Sequence, residues 1–309
     1  MITVVALSPS VDVTYVVDEF VLGEVHRPRS VHREAGGKSL NAARAAAALG
    51  ARVSAVAALS GATGEFVAQR LADAGVELSR VGGGLETRTC VSIASATEAR
   101  MTELYERATP LSDAEWQSIL NVTRDLLPQR PGWLAVAGSV PSGLDDGVLA
   151  RLVELGVDAG LSVAIDSHGP ALGPAVDAGA ALVKVNRAEA ASLLGRDDES
   201  DILEFAEAIH ERSRGIVVVT DGVAGSAATN GQARWRVSPS EAVGAFSVGS
   251  GDSFLGGMLS ALDDGADLAG ALRLGAGCAT ANALEPGAAR FDPERARSIA
   301  AELTVEQVR

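Results

Sequence analysis

Lysine is almost absent from this chain: of 26 basic residues 24 are arginine, and the two lysines are Lys38 and Lys184. They lie in AGGKSLN and LVKVNRAE, where a compact ammonium and a planar guanidinium are not interchangeable. A composition bias toward arginine, alanine and glycine produces the same scarcity, so the lysines add weight to these segments without identifying them. Cysteine is equally sparse. Cys90 and Cys278 exclude a disulfide framework and a cysteine-rich metal site, and a reducing cytoplasm is the natural compartment. The 4 histidines are scattered without metal-ligand spacing, which argues against a zinc hydrolase. No apolar run reaches bilayer-spanning length, and the apolar run at Ile2 has no basic region ahead of it, so the chain reads as soluble and unprocessed. Positive charge is in deficit as well. A net charge of −14 repels nucleic acid and anionic membranes, and a small anion would need local positive groups.

What is present is a regular alternation. Apolar runs rich in Val, Ile and Leu begin at Ile2, Val53, Trp133, Leu161, Ala181 and Gly215, each near-continuous, as in parallel strands covered on both faces. Between them lie helical patterns such as SLNAARAAAALG, DAEWQSILNVTRDLL and ILEFAEAIHERS. The expectation is an α/β fold: a doubly wound, mostly parallel sheet with helices on both faces. Two segments break the rhythm, about 11–34 and 87–107, where VDVTYVV and TCVSIAS alternate without a helix between extended stretches. They predict a small β-sheet lid inserted in one domain spanning 1–309, since no repeat or low-complexity linker separates a second unit.

In such sheets ligands gather beyond the carboxyl ends of the strands. Ser8 and Asp12 follow the first strand, Gly138 and Ser139 the third, Asp166 ends the fourth, Asn186 and Glu189 follow the fifth, and Thr220 to Gly222 the sixth. Each also fits ordinary turn chemistry, and Asn186 with Glu189 fits a helix capping box equally well. The sharpest stretch is GAFSVGSGDSFLGGMLSAL from Gly244. Leu255, Leu259 and Leu262 follow helical spacing, so a helix starts near Gly249 to Asp252 and stops at Gly265. Its first N–H groups lack intrahelical partners and carry the positive dipole end, so Gly249, Ser250 and Gly251 suit an anion. Asp252 suits a base that takes a proton from a hydroxyl attacking phosphorus, or simply an N-cap.

Two nucleotide motifs fail. Gly37, Lys38 and Ser39 imitate the end of a Walker A loop, but His32 stands where a glycine is required. GSGDSFLGG begins like a dinucleotide fingerprint, but Phe254 takes the third glycine position, far from the first strand.

Two separated motifs, EAGGKSLNAARAAAALG from Glu34 and VGSGDSFLGGML from Val248, together resemble the glycine-rich signatures of the ribokinase-like sugar kinases, phosphofructokinase B branch. GSVPSG, KVNRAEA and VVVTDGVAG between them are similar to family segments in their usual order. The resemblance implies an ATP-dependent kinase of a ketohexose phosphate, first fructose 1-phosphate, with tagatose 6-phosphate and fructose 6-phosphate as alternatives. A kinase of an unphosphorylated sugar or nucleoside, and a non-catalytic sensor, remain open. It further implies Asp252 as general base, the Gly249, Ser250 and Gly251 amides as anion hole, and Lys184, Asn186, Thr220, Gly222 and Gly225 around the nucleotide. Glu189 would hold Mg2+ through water, and a monovalent cation is left open. Asp12, Gly36, Gly37, Lys38 and Asn41 would line the sugar. Arg88, assisted by Arg27, would hold the phosphate already on the acceptor, although on the residues alone Arg88 reads as a solvated strand residue. Family lids often clasp one another, which with exposed strand edges implies a homodimer. Ser39 and Ser250 replace small residues usual in the signatures, and TELYERATP from Thr102 departs from the TELNEPGP common in the phosphosugar kinases, leaving the sugar undecided.

Overall fold

A computed structural model of the chain describes residues 1–97 and 100–308. Residues 98 and 99 of the expected lid lie outside the described residues. The large sheet has 10 strands. Seven are parallel, in the order β5 (Glu77–Val81), β4 (Val53–Ala58), β1 (Ile2–Ala6), β8 (Trp133–Ala137), β9 (Ser162–Asp166), β10 (Leu182–Asn186) and β11 (Ile216–Thr220). β12 (Ser226–Thr229), β13 (Arg234–Val237) and β14 (Val305–Val308) extend it antiparallel. The six apolar runs of the sequence are all parallel strands, and their side chains are buried on both faces. The short antiparallel edge carries little apolar signal and was not expected.

The helices cover both faces. Two buried clusters lie on either side of the sheet. One gathers α3 (Asp113–Leu126), α4 (Val148–Asp158), α5 (Leu172–Asp177), α6 (Arg187–Leu194) and α7 (Ile202–Ser213). The other gathers α1 (Lys38–Ala48), α2 (Gly61–Asp73), α8 (Ser250–Asp263) and α9 (Leu268–Ala283), with α10 (Pro293–Glu302) packed outside α9. α1 and α8 approach closely because Gly256 lies against the backbone of Ala42 and Ala46, where a Cβ would collide. The amino ends of these two glycine-started helices therefore meet over the carboxyl ends of β1 and β8.

A separate 4-stranded sheet carries the order β3-β2-β6-β7, from β2 (Ser10–Val17), β3 (Ser30–Gly36), β6 (Arg88–Ser95) and β7 (Met101–Tyr105). β2 and β6, distant in sequence, pair in parallel, with Ser10 opposite Arg88 and Asp12 opposite Cys90. Val31, Leu104 and Tyr105 of this sheet are exposed, as are Val21, Leu22 and Val25 of the β2–β3 connection.

Candidate active site

The helix expected after Gly249 begins at Ser250, with Gly249 as its N-cap at φ 81°. Glycine is required there twice over: the left-handed backbone disfavours a side chain, and a Cβ would run into the backbone of Ala288 and Ala289. Asn282, fully buried on α9, braces the approach by donating to the carbonyls of Phe246 and Val248 and to Ser250 Oγ. One detail differs from expectation. The Ser250 N–H donates to Ser247 O at 3.1 Å in a tight turn, so among the described residues the N–H groups of Gly249, Gly251 and Asp252 are the ones left without an acceptor. Gly251 faces Lys184: a Cβ there would lie 3.3 Å from Nζ.

Asp252 is not the N-cap but stands in the first turn, buried, its Oδ2 accepting from Asn41 Nδ2 at 2.9 Å. The same amide nitrogen donates to Asp12 Oδ2 at 3.2 Å, and Ser10 Oγ donates to Asp12 Oδ1 at 2.6 Å. Gly36 closes this corner, because any side chain would fall on the Asp12 carboxylate, and Gly37 caps α1 against Ser8 O. Burial pushes the Asp252 carboxyl up to about 6, the nearby Asp166 charge adds to the rise, and Lys38, the Asn41 hydrogen bond and Lys184 hold it down.

The two lysines converge on one carboxylate. Asp166, fully buried at the end of β9, accepts from Lys184 Nζ at 2.5 Å and from Lys38 Nζ at 3.0 Å. Burial alone would raise its pKa, but the two ammonium charges outweigh that and hold it at about 2. Lys38 also donates to Glu189 Oε1 at 3.2 Å. Burial opposes its charge, yet Asp166, Glu189 and Asp252 together keep the ammonium protonated well above the ordinary range. Lys38, expected to line the sugar, has its ammonium paired with Asp166 and Glu189. The Asn186–Glu189 capping box is present, with Glu189 Oε2 on the Asn186 N–H and Asn186 Oδ1 on the Glu189 N–H. Oε1 faces the cleft, so capping and a second role are compatible.

Beyond Gly249–Gly251 lies a cavity of about 210 Å³ between Thr220, Gly222 and Gly225 on one side and Gly244, Ala279 and Ala283 on the other. Mostly apolar walls ending at a helix amino terminus suit a flat base with a phosphate tail. Among the described residues no three His, Cys, Asp or Glu side chains gather as a metal cage. The hard oxygens of Glu189 suit a magnesium ion carried in by phosphates, which keeps its waters and needs only one or two carboxylates, whereas both oxygens of buried Asp166 are taken by the lysines.

Arg88 joins the small sheet to this cleft. Its Nη1 donates to Glu106 O at 2.9 Å and its Nη2 to Ser8 O at 3.3 Å, while its buried Nε has no partner. Arg27 is not brought in: it sits on the exposed β2–β3 connection beside Pro28, and no hydrogen bond or ion pair among the described residues joins it to the site. Asp166 was recognised only as a strand-end residue, and Arg44 and Asn282 were missed. The one signal for Arg44 is a charge in an alanine-rich helix that is otherwise buried.

Residues 1–295 match the family described as pfkB family carbohydrate kinase. A 1-phosphofructokinase of Rhodobacter capsulatus is 31% identical over 314 residues, covering 99% of this chain and 97% of the relative. Phosphofructokinase-2 from Escherichia coli, crystallised with substrates and products, superposes with a TM-score of 0.88 at 26% identity, over 97% of this chain and 98% of that one. A Thermotoga maritima protein described as a possible 1-phosphofructokinase shares the fold, with a TM-score of 0.90 at 22% identity over 100% and 99% of the two chains.

Proposed function

This chain belongs to the pfkB family of carbohydrate kinases, and from that premise we propose that it transfers the γ-phosphoryl group of ATP to a primary hydroxyl of a ketohexose phosphate, fructose 1-phosphate first. The observation that carries the reading is the position of Asp252. It shares the Asn41 amide with Asp12 on the small-sheet side, and it stands at the helix terminus that opens on the apolar cavity on the other side. A hydroxyl held by Asp12, with Asn41 fixing the two carboxylates, loses its proton to Asp252 as the oxygen attacks phosphorus. Charge developing on the transferring group is met by the N–H groups of Gly249, Gly251 and Asp252 and by Lys184. Thr220, Gly222 and Gly225 hold the nucleotide, and Asn186 positions Glu189. Magnesium, when bound, neutralises the phosphate oxygens, and Glu189 would hold it through water.

Arg88 is the partner for the phosphate already on the acceptor, its Nη1 and Nη2, which sit between the small sheet and the cleft on two backbone carbonyls, offering charge-assisted donors. Arg88→Ala then raises KM for a phosphosugar roughly ten- to a hundredfold and changes KM for ATP little. A second reading, a neutral sugar as acceptor, is favoured by the two carbonyls that already occupy Arg88; there the same variant leaves KM unmoved. The small sheet acts as a lid over the acceptor, and its exposed Val31, Leu104 and Tyr105 favour a second copy of the chain as their cover, a homodimer. Among the described residues no helix is long and apolar enough to cross a membrane. The deciding experiment is ADP release from ATP and magnesium over fructose 1-phosphate, tagatose 6-phosphate, fructose 6-phosphate, fructose and ribose. Turnover on a phosphosugar, lost in Asp252→Asn, supports the proposal; turnover on fructose or ribose alone overturns the phosphosugar part, and silence throughout overturns the assignment to these acceptors.

A further inference from the structure

Arg44 lies one turn beyond Asn41 on α1, and its guanidinium is almost wholly buried. It touches neither the cavity nor the open cleft. Its five donors are nonetheless aimed at three different parts of the site. Nε donates to Ala35 O at 2.8 Å, in the strand that ends at Gly36. Nη2 donates to Ala288 O at 2.6 Å and Nη1 to Ala289 O at 3.3 Å, in the loop against which Gly249 is packed. Nη2 also donates to Asn41 Oδ1 at 3.0 Å, and Glu34 Oε2 stands 3.6 Å from Nη1.

The bond to Asn41 has a consequence for the reacting groups. An amide can present either its oxygen or its nitrogen to a neighbour. With Oδ1 held by a guanidinium, only Nδ2 can face Asp12 and Asp252, and both carboxylates receive a donor. Turned over, Asn41 would set its oxygen against two carboxylates and withdraw a hydrogen bond from the charged form of Asp252. We propose that Arg44 is a positioning residue for phosphoryl transfer: it fixes the Asn41 amide in the orientation that keeps Asp252 a competent base, and it ties that amide to the Ala288–Ala289 backbone behind the anion-binding turn. This rests on the kinase reading above.

The charged groups facing Asp252 are Lys38 and Arg44 from α1, Asp166 from β9 and Lys184 from β10, with Asp12 of β2 across the Asn41 amide. Arg44 itself faces Glu34, Asp12, Asp252 and Arg70. Arg44→Lys keeps the positive charge and loses the fork, so its effect isolates the orientation of Asn41 from the field of the guanidinium.

The test is a carbon-detected NMR titration of the Asp252 carboxyl in the full chain, assigned with Asp252→Asn. Arg44→Lys and Asn41→Ala each move its midpoint upward by roughly one pH unit, and the double variant moves it no further than Asn41→Ala alone. Turnover in Arg44→Lys then falls roughly fivefold at pH 6 and recovers by pH 8, because only the ionised fraction has changed. An unmoved midpoint in Arg44→Lys, or shifts that add in the double variant, overturns the proposal. Should Arg44→Lys fail to fold, the unmodified protein still decides: the Asn41 side-chain amide must hold one orientation, its protons responding to Asp252 ionisation, and a rotating or reversed amide overturns the proposal. The titration does not need a sugar. Shifted midpoints with no turnover on any acceptor would overturn the kinase reading and leave the role of Arg44 standing; turnover with an unmoved midpoint would do the reverse.

Discussion

At the end of β9 a buried carboxylate lies between two ammonium groups; at the start of α8, in the same cleft, a second has an amide as its one direct side-chain partner among the described residues. Burial acts on both in the same direction, against the charged form. Asp166 overcomes it because Lys38 and Lys184 are in hydrogen-bond contact, and its carboxyl is held at about 2. Asp252 overcomes it only in part, because the same lysines act on it without direct contact while the Asp166 charge works against it, and its carboxyl stands at about 6. A group fixed as an anion can hold lysines in place, but it is a poor base. A group that titrates near neutrality can take a proton and return it. The difference lies in which carboxylate the chain's two lysines touch.

The largest effect expected from breaking this contrast is on turnover. Asp252→Asn keeps an acceptor for Asn41 and removes the base, and kcat falls by about 10³-fold or more, about 4 kcal/mol of transition-state stabilisation. A loss of only a few-fold in steady-state assays would show that Asp252 is not the base. Next is Lys184→Met. It leaves Asp166 buried with Lys38 alone, and the fold loses about 3 kcal/mol in denaturant titration at pH 7. An unchanged unfolding midpoint would mean that Asp166 does not need the pair.

The third test contrasts the two carboxyls through stability. Asp252 has its pKa raised from 3.8 to about 6, so its ionisation opposes folding, and stability is lost as pH rises from about 4 to 6. Asp166 is depressed to about 2, so its contribution is present above the unfolded value and lost as pH falls through 2. Asp252→Asn should therefore be more stable than the parent by up to about 3 kcal/mol at pH 8, with no advantage at pH 4. Thermal unfolding at the two pH values checks it; an equal difference at both would assign the gain to something other than titration.

Much of this site could be read before any coordinates. Leu255, Leu259 and Leu262 located the start of α8, and six apolar runs located six of the seven parallel strands, because burial on one helical face or on both sheet faces leaves a local pattern; β5, half-exposed at the sheet edge, leaves none. The motif segments contained Lys38, Asn41, Lys184 and Asp252, and Asp12 stood out after the first strand; the fold brings Asp12, Asn41 and Asp252 together. What spacing could not give was the pairing of side chains across the fold. That Lys38 turns to Asp166 and Glu189, 128 and 151 residues away, follows from the packing of the start of α1 over the ends of β1 and β8. The edge strands SAAT, RWRV and VEQV are too short and mixed to stand out, and β2 finds β6 only through the third dimension. Arg44 and Asn282 satisfy backbone carbonyls distant in sequence, which no local pattern encodes.

The smallest and most discriminating test is Lys38→Met. Lys38 is the largest of the influences holding the Asp252 carboxyl down, and Asp166 keeps Lys184 when it is lost. Two effects then reinforce one another at Asp252: an attractive ammonium disappears, and Asp166, with one cation fewer, repels more strongly. Both raise its pKa, so the acid limb of the kcat/KM profile, which reports the free enzyme, moves toward neutral pH from its place near 6, while turnover at pH 8 changes only by whatever Lys38 contributes to the phosphates. Stability should fall by less than in Lys184→Met, since Lys38 is partly exposed and its place can be taken by water. If the acid limb stays in place while stability falls as far as in Lys184→Met, the two lysines do not divide the work as their geometry indicates, and the contrast between Asp166 and Asp252 must come from burial alone.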